Sequence, residues 1–233
     1  MRQGNHADEQ GGVVRFCRMP FNRRMTKLAG LILAGGRSSR MGGGVPKALI
    51  ELAGTTLLAR TIAVLAPEVD DLAVNLPPGV DVPDLGLPVV RDEAPTFEGP
   101  LAGVLAGLVR ASALPVRPTH LLTAPVDLPF LPAGLAERFA TAAGDPDAII
   151  LAEGPSGRAP LSALWPLSVA PRLSAFLSDG TERRVGAFLS RERTVSVAFA
   201  PAIIGGRAVD PFFNINTPDD LAEAAELIAQ GDP

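Results

Sequence analysis

Tyrosine is absent from this 233-residue sequence, and cysteine, histidine and lysine are scarce. The one cysteine, Cys17, excludes a disulfide framework and any zinc cluster built on cysteine. Two histidines, His6 and His120, exclude a His-rich metal site and make a Ser-His-Asp triad a strained proposal. No uncharged apolar run reaches the roughly 18 residues of a membrane span. A formal net charge of −4 argues against nucleic acid as a main partner. Lysine occurs only as Lys27 and Lys47, and asparagine only as Asn5, Asn22, Asn75, Asn214 and Asn216. A chain that uses arginine for nearly every positive charge sets Lys47 apart as a position to be explained.

Hydrophobic residues at 47% and charged residues at 20% are sufficient for a real core. Residues 1–27 carry a net charge of +4 and the remainder −8. The tail lacks the apolar stretch of a signal peptide. Residues 1–26 are read as a disordered N-terminal extension, with Met25 as an alternative start and a polybasic anchor as the other reading. Residues 27–233 form the one expected domain, with no internal repeat and no long linker. No targeting or spanning segment is read, and the expected location is the cytoplasm.

From Leu28 onward, short apolar runs alternate with helical periodicity. The runs Leu28–Leu33, Leu72–Val74, Val89-Val90, His120–Ala124, Ala148–Ala152, Leu161–Trp165 and Thr194–Phe199 read as strands. Helical spacing covers Thr55–Ala66, the segment opening at Gly99-Pro100, and Pro132–Ala142. Thr217-Pro218-Asp219-Asp220 reads as a capping box that opens a last helix burying Leu221, Ala224, Ala225 and Ile228. Repeated strand–helix–strand units predict an α/β fold: one Rossmann-like, mostly parallel sheet with helices on both faces. His120 and Trp165 are expected as core residues.

In such sheets the site lies at the carboxyl ends of the strands. The polar residues just after the apolar runs are Gly35-Gly36 through Lys47, Asn75, Asp92 with Gly99-Pro100, Asp127, and Asn214 with Asn216. The first group is a glycine-rich loop, Leu33-Ala34-Gly35-Gly36-Arg37-Ser38-Ser39-Arg40-Met41-Gly42-Gly43-Gly44-Val45-Pro46-Lys47. Glycines let backbone N–H groups approach an anion closely, arginine grips phosphate oxygens bidentately, and lysine supplies a point charge. The chemistry indicated is a triphosphate cradle. It is neither a Walker A loop nor a dinucleotide fingerprint. A plain surface loop of Gly and Arg is the competing reading on composition alone.

The order Leu-Ala-Gly-Gly-x-Ser-x-Arg-Met-Gly followed by Lys resembles the signature of nucleotidyltransferases that act on sugars and cofactors. Its Gly-Gly form resembles the molybdenum cofactor guanylyltransferases. Arg91-Asp92 leading to Gly99-Pro100-Leu101-Ala102-Gly103 is similar to that family's guanine-binding segment. Pro125-Val126-Asp127-Leu128-Pro129-Phe130-Leu131-Pro132 is similar to its metal-binding segment. Ala159–Leu164 and Phe212–Pro218 also match. The resemblance runs from about Leu28 to the end.

The resemblance implies that GMP passes from GTP to molybdopterin-bound molybdenum cofactor with release of pyrophosphate. It implies Mg²⁺, or Mn²⁺, at Asp127, and catalytic roles for Lys47, Arg40 and Asp127. Nucleotide contacts are implied for Leu33, Ala34, Gly35, Gly36, Arg37, Lys47, Asn75, Asp92, Gly99 and Pro100. Arg183, Arg184, Asn214 and Asn216 are the candidates for holding the acceptor. GTP and the molybdenum cofactor are the expected partners, with other cofactor-biosynthesis proteins or molybdoenzyme chaperones beside them. Pro46-Lys47 resembles the related cytidylyltransferases and many sugar-nucleotide enzymes. A cytidylyltransferase of the same cofactor, a sugar-phosphate nucleotidyltransferase and a non-catalytic cofactor carrier therefore stay open as alternatives.

Overall fold

Six consecutive apolar residues, Leu28–Leu33, form strand β1 (Leu28–Leu33), buried along its whole length. A strand covered on both faces reads as a continuous apolar run rather than an alternation. The computed structural model describes residues 27–35, 45–77, 79–80, 82, 86–91 and 99–231. The expected N-terminal extension over 1–26 lies outside the described residues.

After a 3-10 turn over Lys47–Leu49, β2 (Glu51–Leu52) and β3 (Thr55–Thr56) make a small hairpin. Helix α1 (Leu57–Leu65) follows, with the Thr56 hydroxyl accepting from the Ala59 N–H as its cap. Next come β4 (Asp71–Leu76), β5 (Val89–Arg91), α2 (Pro100–Ser112), β6 (His120–Pro125) and α3 (Leu135–Ala142). The chain continues through β7 (Ile149–Gly154), β8 (Gly157–Pro166), α4 (Ala170–Ser178), α5 (Val185–Leu189) and β9 (Thr194–Ala198). It ends with the hairpin β10 (Ala202–Ile204) and β11 (Arg207–Val209) and helix α6 (Pro218–Gln230).

The central sheet has seven strands in the order β5-β4-β1-β6-β8-β7-β9. Pairing is parallel from β5 through β6 and between β7 and β9. Only β8 runs against its neighbours, pairing antiparallel with both β6 and β7. The sheet is therefore the mostly parallel one expected. Side chains alternate along β1: Leu28 and Ile32 pack with α1, α3 and α6, while Ala29, Leu31 and Leu33 pack with α2, α4 and α5. Both faces are covered by helices, which is what an apolar parallel sheet requires.

Several boundaries differ from the sequence reading. Asn75 does not close its strand but lies inside β4, opposite Leu33. The helix expected from Pro132 starts at Leu135. Gly134 takes a left-handed conformation at φ 80°, which breaks the helical run before Leu135. The Glu68 carboxylate supplies the missing cap, accepting from the Gly134 N–H at 2.5 Å and the Ala136 N–H at 2.8 Å. Residues 149–166 form one hairpin, because Gly157 at φ 115° lets the chain reverse directly from β7 into β8. In α6 the deepest residues are Ala224 and Leu227, with Leu221, Ala225 and Ile228 half-buried around them. His120 and Trp165 are both buried, and the Trp165 indole N–H donates to Thr123 Oγ1 at 2.8 Å.

Candidate active site

The carboxyl ends of β1, β4 and β6 are laced together by the backbone. The Ala34 N–H donates to the Asn75 carbonyl, and the Val126 N–H donates to the Leu33 carbonyl, each at 3.0 Å. Leu33 and Ala34 are buried at the end of β1, and Gly35 emerges from it exposed. Asp127 lies two residues beyond β6. Its carbonyl accepts from the Ile215 N–H at 3.0 Å, which brings the segment before α6 alongside. Ile215 is fully buried while Asn214 and Asn216 are exposed on the other side, the alternation expected of an extended segment.

Pro46, at φ −56° and ψ 139°, enters the 3-10 turn that Lys47 begins. That turn aims the Lys47 side chain inward, where it is only 8% exposed. Its ammonium donates to Asp127 Oδ2 at 2.6 Å and to Asn216 Oδ1 at 3.1 Å. Three sequence-distant groups thus converge on one point: a cation, an anion and a neutral oxygen. The second Asp127 oxygen, Oδ1, is buried with no hydrogen-bond partner among the described residues. A buried carboxylate oxygen left without a donor is poised for another electrophile.

A second carboxylate stands behind this cluster. Asp220 Oδ2 accepts from the Asn216 N–H at 2.7 Å and the Thr217 N–H at 2.8 Å, while the Thr217 hydroxyl accepts from the Asp220 N–H at 3.2 Å. The Asn216 N–H holds the Asp220 carboxyl below the usual range, with Thr217 and the positive charge of Lys47 acting in the same direction. The capping box thereby fixes the backbone of Asn216 as well as starting α6. Sequence reasoning recognised the box but not its hold on Asn216.

Asn75 is buried, and its side-chain amide donates to the Val90 carbonyl at 3.3 Å. Gly99, at φ 101°, caps α2, and Pro100 is its first residue. Helix α2 packs on β1, β4 and β5, so its N-terminus, an anion-attracting element, belongs to the same edge of the sheet as Gly35 and Asn75. Gly36, Arg37, Arg40 and Asp92 lie outside the described residues.

Arg183 and Arg184 sit in the turn between α4 and α5, both exposed. The Arg184 guanidinium is held by Glu182, with NH2 at 2.6 Å. Hydrogen bonds from Arg184 draw the Glu182 carboxyl down to about 2. Arg183 contributes only its backbone N–H to Glu182, at 3.0 Å. The structure thus gathers Leu33, Ala34, Gly35, Lys47, Asn75, Asp127 and Asn216 at one edge of the sheet. The arginine pair stands on a separate turn.

The arrangement is suited to phosphate chemistry. Among the described residues it offers a buried ammonium, a carboxylate with one unpartnered oxygen, glycine backbone and a helix N-terminus, and no nucleophile–histidine pair beside them. Charge neutralisation and positioning are what such groups provide.

A model of the MobA-like NTP transferase domain matches residues 30–195. Over 200 residues the chain is 43% identical to the molybdenum cofactor guanylyltransferase of Sinorhizobium fredii, spanning 85% of this chain and 90% of that protein. The molybdopterin-guanine dinucleotide biosynthesis protein A of Archaeoglobus fulgidus superposes with a TM-score of 0.67 at 21% identity, covering 87% of this chain and 100% of that one. A Mycobacterium tuberculosis protein crystallised with manganese gives a TM-score of 0.58 at 22% identity, covering 86% and 98%. These two solved structures share the fold. No helix among the described residues is long and apolar enough to cross a membrane. The chain belongs to the molybdenum cofactor guanylyltransferase family.

Proposed function

We propose that this protein transfers GMP from GTP to the terminal phosphate of molybdopterin in the molybdenum cofactor, releasing pyrophosphate. The observation that carries the reading is the convergence of Lys47, Asp127 and Asn216, in a chain of this family. A phosphate oxygen of the acceptor attacks the α-phosphorus of GTP. The bond from that phosphorus to the bridging oxygen breaks, and the electron pair leaves with pyrophosphate. The attacking phosphate is already ionised, so no general base is needed, in keeping with a chain almost without histidine.

Lys47 places a compact positive charge where phosphate charge accumulates. Asn216 and Asp127 hold that ammonium in one orientation. Leu33, Ala34 and Gly35 offer backbone to the triphosphate, with Gly36, Arg37 and Arg40 continuing the cradle. Asn75 and Asp92 contact the nucleoside, and Gly99-Pro100 lie flat against the base. Arg183 and Asn214 face the acceptor, with Arg184 and Asn216 in supporting places.

Asp127 Oδ1, unpartnered among the described residues, fits a hard divalent cation. Among the described residues no group of three or more His, Cys, Asp or Glu is arranged to hold a metal ion, so Asp127 would hold the ion with phosphate and water oxygens completing its shell. Mg²⁺, or Mn²⁺, when bound there supplies charge neutralisation to the phosphates. The cytoplasm, cofactor-biosynthesis proteins and molybdoenzyme chaperones complete this reading.

The test is pyrophosphate release from GTP, CTP, ATP and UTP with metal-loaded molybdopterin and Mg²⁺. GTP is the expected substrate. The Pro46-Lys47 pair favours CTP as the second reading, and preference for CTP would overturn the guanylyl assignment. Release from none of the four would leave a cofactor carrier.

A further inference from the structure

Helix α2 carries two glycines one turn apart, on the side packed against the sheet. A Cβ at Gly107 would come within 2.5 Å of Leu31 Cδ2 and 2.9 Å of Leu121 Cδ2. That is ordinary core packing. Gly103 differs. A Cβ there would overlap Asn75 Oδ1 and come within 2.9 Å of Asn75 Cγ and 3.2 Å of Leu33 Cδ2. The neighbour is a polar side chain of the site rather than a core leucine.

The Asn75 carboxamide has little room to yield. It is buried, and its Nδ2 donates to the Val90 carbonyl of the adjacent strand. A Cβ at Gly35 would lie 3.8 Å from the same Oδ1, so the start of the glycine loop borders it as well. Glycine in a helix interior is unfavourable relative to alanine. Its use at Gly103 therefore needs a reason other than helix formation.

We infer that Gly103 is a positioning residue for nucleotide binding, acting through Asn75: by lacking a side chain, it makes room for the Asn75 carboxamide between α2 and Gly35. The inference rests on the reading that Asn75 contacts the nucleoside. Gly103 lies at the end of the first turn of α2, whose cap is Gly99 and whose first residue is Pro100. The helix that presents Gly99-Pro100 to the base thus also sets the side chain beside it.

The experiment is a double-mutant cycle in the full chain with Gly103→Ala and Asn75→Ala, read as KM for GTP, kcat and thermal midpoint. Gly103→Ala raises KM for GTP about tenfold while kcat changes less than about threefold. In the Asn75→Ala background the same change adds nothing to KM, because the two nearest atoms, both of the Asn75 carboxamide, are gone and only the 3.2 Å approach to Leu33 Cδ2 remains. Gly107→Ala lowers the thermal midpoint without raising KM, separating core crowding from site positioning. Unchanged KM in Gly103→Ala, or additive effects in the double variant, would overturn the inference. If Gly103→Ala alone does not fold, a folded double variant with the KM of Asn75→Ala supports it. An unfolded double variant counts against it. A wild-type KM in Asn75→Ala would instead remove the nucleoside role of Asn75, a failure of the underlying reading that this arm alone reports.

Discussion

The ammonium of Lys47 stands 2.6 Å from the Asp127 carboxylate, across 80 residues of sequence. Both groups are mostly withdrawn from water, with side-chain exposures of 8% and 15%. A charge in such a place is tolerable when its partner is present and costly when it is not. The pair is therefore part of the fold as well as of the chemistry, and the two roles can be measured apart.

Lys47→Met leaves Asp127 without its cation. Turnover falls about a hundredfold or more, and unfolding stability falls by on the order of 3 kcal/mol. Adding Asp127→Asn to this variant recovers part of the stability and none of the turnover. Chemical denaturation and pyrophosphate release report the two effects. A double variant as unstable as the sum of its parts would show that the ion pair carries no coupling.

Asp127→Ala abolishes turnover while GTP binding is partly kept, since the phosphate cradle and α2 are untouched. Chelation of divalent ions stops the wild-type reaction, and Mg²⁺ or Mn²⁺ restores it. In Asp127→Asn the metal concentration for half-maximal rate rises. A wild-type metal titration in that variant would remove Asp127 from the metal role.

Thr217→Ala deletes one half of the capping box and costs about 1 kcal/mol. Asp220→Asn weakens the other half by replacing a carboxylate acceptor with a neutral carboxamide, which loosens the backbone of Asn216, so kcat falls as the second anchor of Lys47 shifts. The Asp220 carboxyl is held low in the folded chain. Its contribution to stability is present above the ordinary aspartate value, about 3.9, and is lost as pH falls through the lower folded value. Acid unfolding of Asp220→Asn lacks that component. The same acid profile in both proteins would argue against it.

His120 acts with the same sign in a higher pH window. Burial pushes its pKa down, against the upward pull of Asp147 and the Pro146 backbone. The unfolded chain therefore takes up this proton more readily than the folded one. Stability is unaffected above about pH 6.5 and declines as pH falls below it. His120→Gln flattens the thermal midpoint between pH 5 and 7. An unaltered slope in the variant would assign the pH dependence elsewhere.

Arg183→Ala raises KM for the molybdenum cofactor more than Arg184→Ala does. The Arg184 guanidinium is engaged by Glu182, whereas that of Arg183 projects without a partner among the described residues. Equal effects from the two would show that the Glu182 pair opens when the acceptor binds.

Much of the fold was legible because it rests on local patterns. The apolar run Leu28–Leu33 and the spacing of Leu101, Val104, Leu105 and Leu108 encode a covered strand and a core-facing helix without reference to any other segment. The errors came where distant groups intervene. The first turn of α3 is capped by Glu68, 66 residues earlier, so Pro132 misled as a helix start. Asn75 looked like a strand terminus, yet β4 continues to Leu76 because β5 extends its pairing, with Leu76 opposite Arg91.

Hydrophobic periodicity by itself determined the α/β class, and composition with motif order determined the family resemblance and Lys47 and Asp127 as residues to watch. They also put Asn75, Asn214 and Asn216 at the ends of apolar runs. What they could not determine is which of these groups meet. Lys47 is 80 residues from Asp127 and 169 from Asn216, and Coulomb attraction and hydrogen bonding depend on separation in space. Only the assembled sheet, with β1 beside both β4 and β6, makes one ammonium the shared partner of a carboxylate and a carboxamide. The same assembly leaves the other Asp127 oxygen without a partner among the described residues, and it sets Gly103 against Asn75.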